Sequence, residues 1–436
     1  MSEGADLRIS SIDRAMANFA MTTPISFHLV LDFDAPLHLG QLESAWQRLG
    51  QRFPILRAYA NFADGPTHWA LDPVLPVVNE VDDEMADPGA PWAGPNELRV
   101  IRDDISLADG SPCRLTAIRR GSQHRLVWTA NHALMDGSST VFVVEGLATL
   151  YRECVVGRPT QTVADARSRC LEDVLAASGL NAVNQRLVAM RYAGRWTGPD
   201  RSDHPPASSV STAPGYAGAD VTEALRSTHH ERRRRGWTTS AVLIALLARA
   251  WNRVFDVGTS TTGTSGWQVA SNLRVELGVS AGIGNMSGTE PLTLHSVDRR
   301  PLADVIDEAN RELRGVGSGW PGLGAALSVM QSSALPAEVL RRIATTSLGR
   351  VTALGYGRSF SNVGPWPRSI EDWAGPRLHR GFYLPAFTDP RLTTVVAYDV
   401  AGRAWISMRT HALGISVLDV ANLGSTMVAD AAAAGR

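Results

Sequence analysis

Leu126–Phe142, LVWTANHALMDGSSTVF, holds the residues best suited to chemistry. The apolar run Leu126-Val127-Trp128 has the β-branched and aromatic content of a buried strand. The pattern breaks at Asn131-His132, passes through Asp136-Gly137-Ser138-Ser139, and turns apolar again from Val141 to Tyr151. Read as strand, loop and helix, it sets His132 at a strand end and Ser138 or Ser139 near a helix N-cap. A histidine held there can reach a cleft as a neutral base, because its ordinary pKa lies near working pH. Asp136, if buried, needs a cation or hydrogen-bond donors. It is either the partner of His132, as in a triad, or the partner of a cation elsewhere. A structural histidine beside a surface aspartate is the reading without chemistry.

The stretch His132-Ala-Leu-Met-Asp136-Gly137 resembles the His-x-x-x-Asp-Gly signature of the chloramphenicol acetyltransferase-like acyltransferases. That superfamily includes nonribosomal peptide synthetase condensation domains and polyketide-associated acyltransferases. The position before the signature histidine is often a second histidine there; here it is Asn131, whose amide can donate and accept but cannot act as a base. The likeness continues in sequence order. Its other segments are FPILRA (53–58) before the motif and, after it, TTSAVLIALLARAW (238–251), WQVASNLR (267–274), a Gly284-Asn285 loop, and Ser361-Asn362-Val363-Gly364-Pro365-Trp366.

The resemblance implies an α/β fold of two mixed-sheet lobes of acetyltransferase type, a V-shaped pseudo-dimer with an interlobe tunnel. Residues 1–157 would form the N-terminal lobe with the His motif, 158–214 a connecting helix and linker, and 215–436 the C-terminal lobe. It also implies that His132 is the base and that Arg274 pairs with Asp136 beside Gly137 and Asn131. Trp267, Asn272, Asn285, Ser361, Asn362 and Trp366 become tunnel candidates. The implied activity condenses an acyl thioester with an alcohol or amine in secondary metabolism. The donor would be phosphopantetheine-linked, on coenzyme A or on an acyl or peptidyl carrier protein met in trans, with no bound cofactor and no metal. A non-catalytic carrier-binding or gating module stays open, as does a repurposed tunnel that isomerises or cyclises its substrate.

Composition narrows the classes further. A chain of 436 residues exceeds the usual size of one hydrophobic core, so two domains are expected. A net charge of -1 argues against a general nucleic-acid or anionic-membrane binder. The 42 basic residues are all arginine, which rules out Schiff-base chemistry and a Walker-type phosphate lysine. Cys113, Cys154 and Cys170 are odd in number and lack C-x-x-C spacing, so neither a disulfide framework nor a zinc site is suggested. The most apolar stretch, Ala241–Ala248, is far short of the roughly 20 residues of a membrane span. MSEGADLRIS carries no signal pattern. A soluble, cytoplasmic, monomeric protein is expected.

Periodicity supplies the positioning elements. Helices are expected over Arg8–Ala20, Leu39–Arg52, Leu171–Tyr192, Asp220–Arg235, Ser240–Val254 and Pro301–Gly315. Strands are expected over Ile25–Phe33, Leu98–Ile105, Cys113–Arg119, Leu354–Val363, Thr393–Val400 and Ala404–Met408, and Phe53–Arg57 should lead into another that runs through Phe62. Pro199–Pro214 is the linker candidate. Gly236 should stop the basic helix, and Thr238 or Thr239 should cap the next one. Arg232–Arg235 either complements that helix dipole or steers the donor's phosphate, with Arg341, Arg342 and Arg377 as the reserve.

Overall fold

Two mixed sheets carry the chain, and the first is built around a strand buried on both faces. A computed structural model describes residues 7–20, 25–61, 67–82, 100, 105–108, 112–157, 165, 167, 169–194, 210–255, 263–279, 282–314, 322–332, 338–339, 342, 357–386, 393–412 and 417–434. The strands are β1 (Ser26–Phe33), β2 (Ala58–Tyr59), β3 (Ala70–Leu71), β4 (Val78–Asp82), β5 (Cys113–Arg120), β6 (Gln123–Asn131) and β7 (Val210–Asp220). They continue as β8 (Ser265–Asn272), β9 (Ser287–Leu294), β10 (Arg358–Pro365), β11 (Leu378–Leu384), β12 (Thr393–Val400) and β13 (Arg403–Ala412). The first sheet runs β11-β1-β6-β5-β4, the second β7-β13-β12-β10-β8-β9, and β2 pairs with β3 alone.

In β1 the odd-numbered Phe27, Leu29, Leu31 and Phe33 face the helices Leu39–Arg52 and Gly137–Val156. They meet Trp46, Leu49, Leu147 and Tyr151 there in one core. The even-numbered Val30 turns to the opposite face with Ile118, Val127 and Phe382. On the same strand Asp32 pairs with the buried Arg125 at 2.7 Å, so the one charge on a fully buried strand is satisfied. The second sheet is covered on one face by the helices Thr239–Val254, Leu302–Leu313 and Val417–Ala434. Its other face is smaller in side chain and more polar, and borders the candidate site. Among the described residues no helix is long and apolar enough to cross a membrane.

Several expected elements differ in detail. Phe53–Arg57 leads into a strand as expected, through a tight 3-10 turn that Pro54 opens, but that strand, β2, is only two residues long, and Phe62 lies outside the described residues. Leu171–Tyr192 is two helices, Leu171–Ala177 and Ala182–Gly194, separated near Gly179 at φ 72°. Asp220–Arg235 also splits, at Thr228, whose hydroxyl bonds back to the Ala224 carbonyl at 3.0 Å. Gly236 does end it in the left-handed conformation, and Thr238 caps the following helix by accepting from Ala241 N. Of the linker candidate, 210–214 belong to β7, and 199–209 lie outside the described residues, as do most of Leu98–Ile105 and residues 354–356.

One exchange crosses the halves. β11 comes from the second half of the chain yet pairs antiparallel with β1, from His28↔Leu384 to Phe33↔Leu378. Trp366, Ile370 and Trp373, just before it, pack into the first core.

Candidate active site

His132 sits one residue past the end of β6, where pairing of Ser26 with Asn131 closes the ladder. Its own N–H donates to the Ile25 carbonyl at 3.1 Å. Its ring stands edge-on to Phe27 at 5.6 Å, and Phe27 stacks in turn on Tyr383 at 5.9 Å. The imidazole is thus wedged by apolar neighbours. That burial lowers its pKa below the ordinary 6.5, while main-chain groups at His132 and Met135, the Asp136 charge and Asn285 pull the other way. A base so placed stays neutral near pH 7.

Asn131 locks the turn. Its Nδ2 donates to the Ile105 carbonyl at 2.8 Å and its Oδ1 accepts from Ala133 N at 3.0 Å. One end of the amide closes the turn and the other ties it to the segment at Ile105, so both are engaged away from the cleft.

Asp136 is the helix N-cap, with Ser138 and Ser139 next to it in the first turn. Its Oδ1 accepts from Ser139 N at 2.9 Å, which suits a carboxylate at the positive end of a 20-residue helix. Its Oδ2 meets Arg274 Nη1 at 2.7 Å and Met286 N at 2.7 Å. Burial alone would raise this carboxyl, but the Arg274 guanidinium and the two N–H groups hold it below the ordinary carboxylate value. Of the two roles open to Asp136, the geometry provides the cation partner.

Arg274 also donates to Ser139 Oγ and to the Gly284 carbonyl, each at 2.9 Å. Asn272 puts it there: the strand β8 ends at Asn272, whose side chain caps the short helix Leu273–Leu277 by accepting from Arg274 N. The halves are therefore joined at the motif by one buried ion pair and its donors.

Gly137 follows as the first helical residue, and a Cβ there would lie 3.2 Å from the Tyr383 hydroxyl and 3.4 Å from Val363. The motif glycine is where the helix passes against β10 and β11. Burial raises the Tyr383 phenol far above its ordinary value, so it remains a neutral donor.

A cleft of about 360 Å³ opens beside these residues. His132, Asp136, Gly137 and Ser138 form one wall; Gln268, Ala270 and Asn272 of β8, with Ser359 and Ser361 of β10, form the other. Asn285 and Asn362 also line it. Trp267 and Trp366 do not. Alternation along β8 turns Trp267 into the helix-side core, fully buried with its Nε1 on Ser265 Oγ at 2.9 Å. Trp366 stacks on Tyr398 at 5.7 Å within the first core. Asn362 is tied to Ser240 Oγ at 2.9 Å.

The arginine cluster is largely committed. Arg234 and Arg235 pair with Glu231, Arg235 also meets Asp307, and Arg232 donates to Thr239 Oγ1 at 2.7 Å. Arg232 lines a separate surface cleft of about 620 Å³, which shares Asn362 with the cleft beside His132. Arg377 lies in the turn before β11, Arg342 is exposed, and Arg341 lies outside the described residues. Cys113 is buried and its thiol pushed well above the ordinary value, which disfavours a thiolate nucleophile. Among the described residues no group of His, Cys, Asp and Glu could hold a metal. Tyr383, Gln268 and Ser359 were not sequence candidates. The phase of β8, with Trp267 facing inward, carries the signal for Gln268; nothing local marks Tyr383.

The architecture is that of condensation-type domains. The epimerization domain from the third module of tyrocidine synthetase B superposes over 100% of this chain and 99% of its own, with TM-score 0.67 and 15% identity. Polyketide synthase associated protein 5 from Mycobacterium tuberculosis gives 0.67 over 98% of both chains at 16% identity. The first condensation domain of the CDA synthetase gives 0.66 over 100% of this chain and 98% of its own at 16% identity. No family model matches the chain.

Among curated proteins, nonribosomal peptide synthetase gloA of Glarea lozoyensis is 31% identical over 121 residues, 26% of this chain. The synthetase ecdA of Aspergillus rugulosus is 29% identical over 168 residues, 35% of this chain. The matched segments span 2% of the length of each of those relatives.

Proposed function

We propose that this protein transfers an acyl group from a thioester to an alcohol or amine in secondary metabolism, with His132 as general base. The observation that carries the reading is a neutral imidazole on the cleft wall whose neighbouring carboxylate is already committed to Arg274. His132 takes the proton of the attacking O–H or N–H as the new bond to the thioester carbon forms. The C–S bond then breaks, and the imidazolium returns the proton to the leaving sulfur. Such help is worth ~10²–10⁴-fold. Gly137 and Ser138 supply main-chain N–H groups at the positive end of their helix, on the same wall, where a tetrahedral oxyanion would be stabilised. Holding both substrates in register would provide the remainder.

The donor would be phosphopantetheine-linked, on coenzyme A or a carrier protein met in trans. Of the basic cluster, Arg232 is the residue we assign to its phosphate, because it lines the neighbouring cleft that shares Asn362. An isomerisation would need a second proton-transfer group. Among the described residues, the titratable groups lining the catalytic cleft are His132, Asp136 and Tyr383, of which Asp136 is held ionised and Tyr383 is held neutral. This favours transfer. Intact-mass analysis of an acyl-loaded carrier protein, incubated with a panel of alcohols and amines, tests it. Loss of the acyl mass with a new ester or amide supports transfer. Inversion or ring closure at constant mass would replace it with isomerisation or cyclisation, and no change at all would leave a binding module.

A further inference from the structure

Resting on His132 as the base, a further inference concerns which imidazole nitrogen carries the proton. His132 Nδ1 is buried and has no hydrogen-bond partner among the described residues. So is Asn285 Oδ1. Both residues line the cleft, Asn285 bonds to the main chain next to His132, and buried polar groups are costly to leave unsatisfied.

The orientation of the Asn285 amide is fixed by its other end. Nδ2 donates to the Ala133 carbonyl at 2.8 Å and to Asp13 Oδ1 at 3.1 Å. A flipped amide would turn its oxygen onto a carbonyl and a carboxylate, three acceptors facing one another. Asp13 is itself fully buried, and its Oδ2 accepts from Arg169 Nη1 at 2.6 Å and from Ser10 N at 3.1 Å. Arg169 Nη2 donates onward to the Leu134 carbonyl at 3.0 Å, inside the catalytic loop. The loop bearing Asn285 is seated directly on this pair, since a Cβ at Gly284 would lie 2.7 Å from the Arg169 carbonyl oxygen. Residues 13, 169 and 285 thus hold one oxygen in place, and its remaining partner must be a donor. Burial lowers the imidazole's pKa; against it act its own main-chain group, the Asp136 charge and then the Asn285 side chain, the last in the direction expected of an acceptor.

We propose that Asn285, anchored by Asp13, accepts from Nδ1–H of His132 and holds the imidazole in the tautomer that presents the Nε2 lone pair to the cleft. It is a positioning residue, standing where a triad carboxylate would stand but without the charge. The orienting group comes from the second half of the chain, while Asp136 serves as the clamp.

The test reads protonation rather than turnover. Protein labelled with ¹⁵N-histidine is studied by long-range proton–nitrogen correlation at pH 8, and the His132 signals are those missing from His132→Gln. The expected wild-type pattern is the Nδ1-protonated form, shifting toward the Nε2-protonated form in Asn285→Ala. A wild-type His132 protonated at Nε2 overturns the proposal, and that spectrum needs no folded variant. An unchanged tautomer in a natively folded Asn285→Ala overturns it as well. Because neither result depends on an acyl substrate, this inference and the acyl-transfer reading can fail separately.

Discussion

Asp136→Asn isolates the charge of the clamp. The change is isosteric, and the amide oxygen can still accept from Ser139 N, so the helix cap is retained. What is lost is the anionic oxygen that accepts from both Arg274 Nη1 and Met286 N. An NH₂ group there faces two donors, and Arg274, only 7% exposed, is left without its counter-ion. Stranding one member of a buried pair costs about 3–5 kcal/mol. Arg274 keeps the Gly282 and Gly284 carbonyls, which sets the expectation near the lower end.

With an unfolding entropy of roughly 2.1 cal/mol/K per residue, the whole chain has a slope near 0.9 kcal/mol per degree, so Tm should fall by about 3–4 °C. The pH dependence has a definite sign. Asp136 is held below its ordinary value when folded, so its contribution is complete above that value and is lost as pH falls through the folded one. The calorimetric gap between variant and wild type should therefore hold across pH 5–8 and close in stronger acid. Arg274→Met in the Asp136→Asn background should recover part of the loss. A Tm change below about 1 °C in the single variant would refute the clamp.

Three further expectations follow from the same geometry. Burial of His132 should put the acid limb of kcat/KM below the ordinary imidazole value of about 6.5; a midpoint above it contradicts the wedge of Phe27 and its neighbours. Gly137→Ala should leave Tm nearly unchanged while lowering turnover about 10-fold or more, because the Tyr383 hydroxyl and Val363 must yield beside the base; undiminished turnover would show that this contact is idle. Gly288→Ala should cost at least about 1–3 kcal/mol, since its Cβ would lie 1.9 Å from the Gly322 carbonyl oxygen, and a wild-type Tm would contradict that close approach.

Much of the site was legible where local pattern and chemistry coincide. The apolar run before Asn131 marks β6, and a polar break at its end marks the turn that exposes His132. The sequence placed Ser138 or Ser139 near the N-cap without choosing the residue, because Asp and Ser are almost equal as N-caps; the extended backbone of Asp136 and its bond from Ser139 N decide it. Trp267 and Trp366 show the limit of residue type: aromatic side chains suit a binding cleft and a core equally well, and the phase of the strand settles which one they enter. Neither β11 nor Tyr383 could be read, because a strand's sequence does not name its neighbour across 350 residues. Asn285 was a candidate, but its anchors Asp13 and Arg169 were hidden, since each alone resembles an ordinary polar residue of a helix or a linker.

The most direct measurement is single-turnover acyl transfer by His132→Ala beside wild type, using an acyl-loaded carrier protein and the acceptor found by intact-mass screening. The account predicts a fall of at least ~100-fold with Tm nearly unchanged. Turnover close to wild type in a folded His132→Ala protein would contradict it.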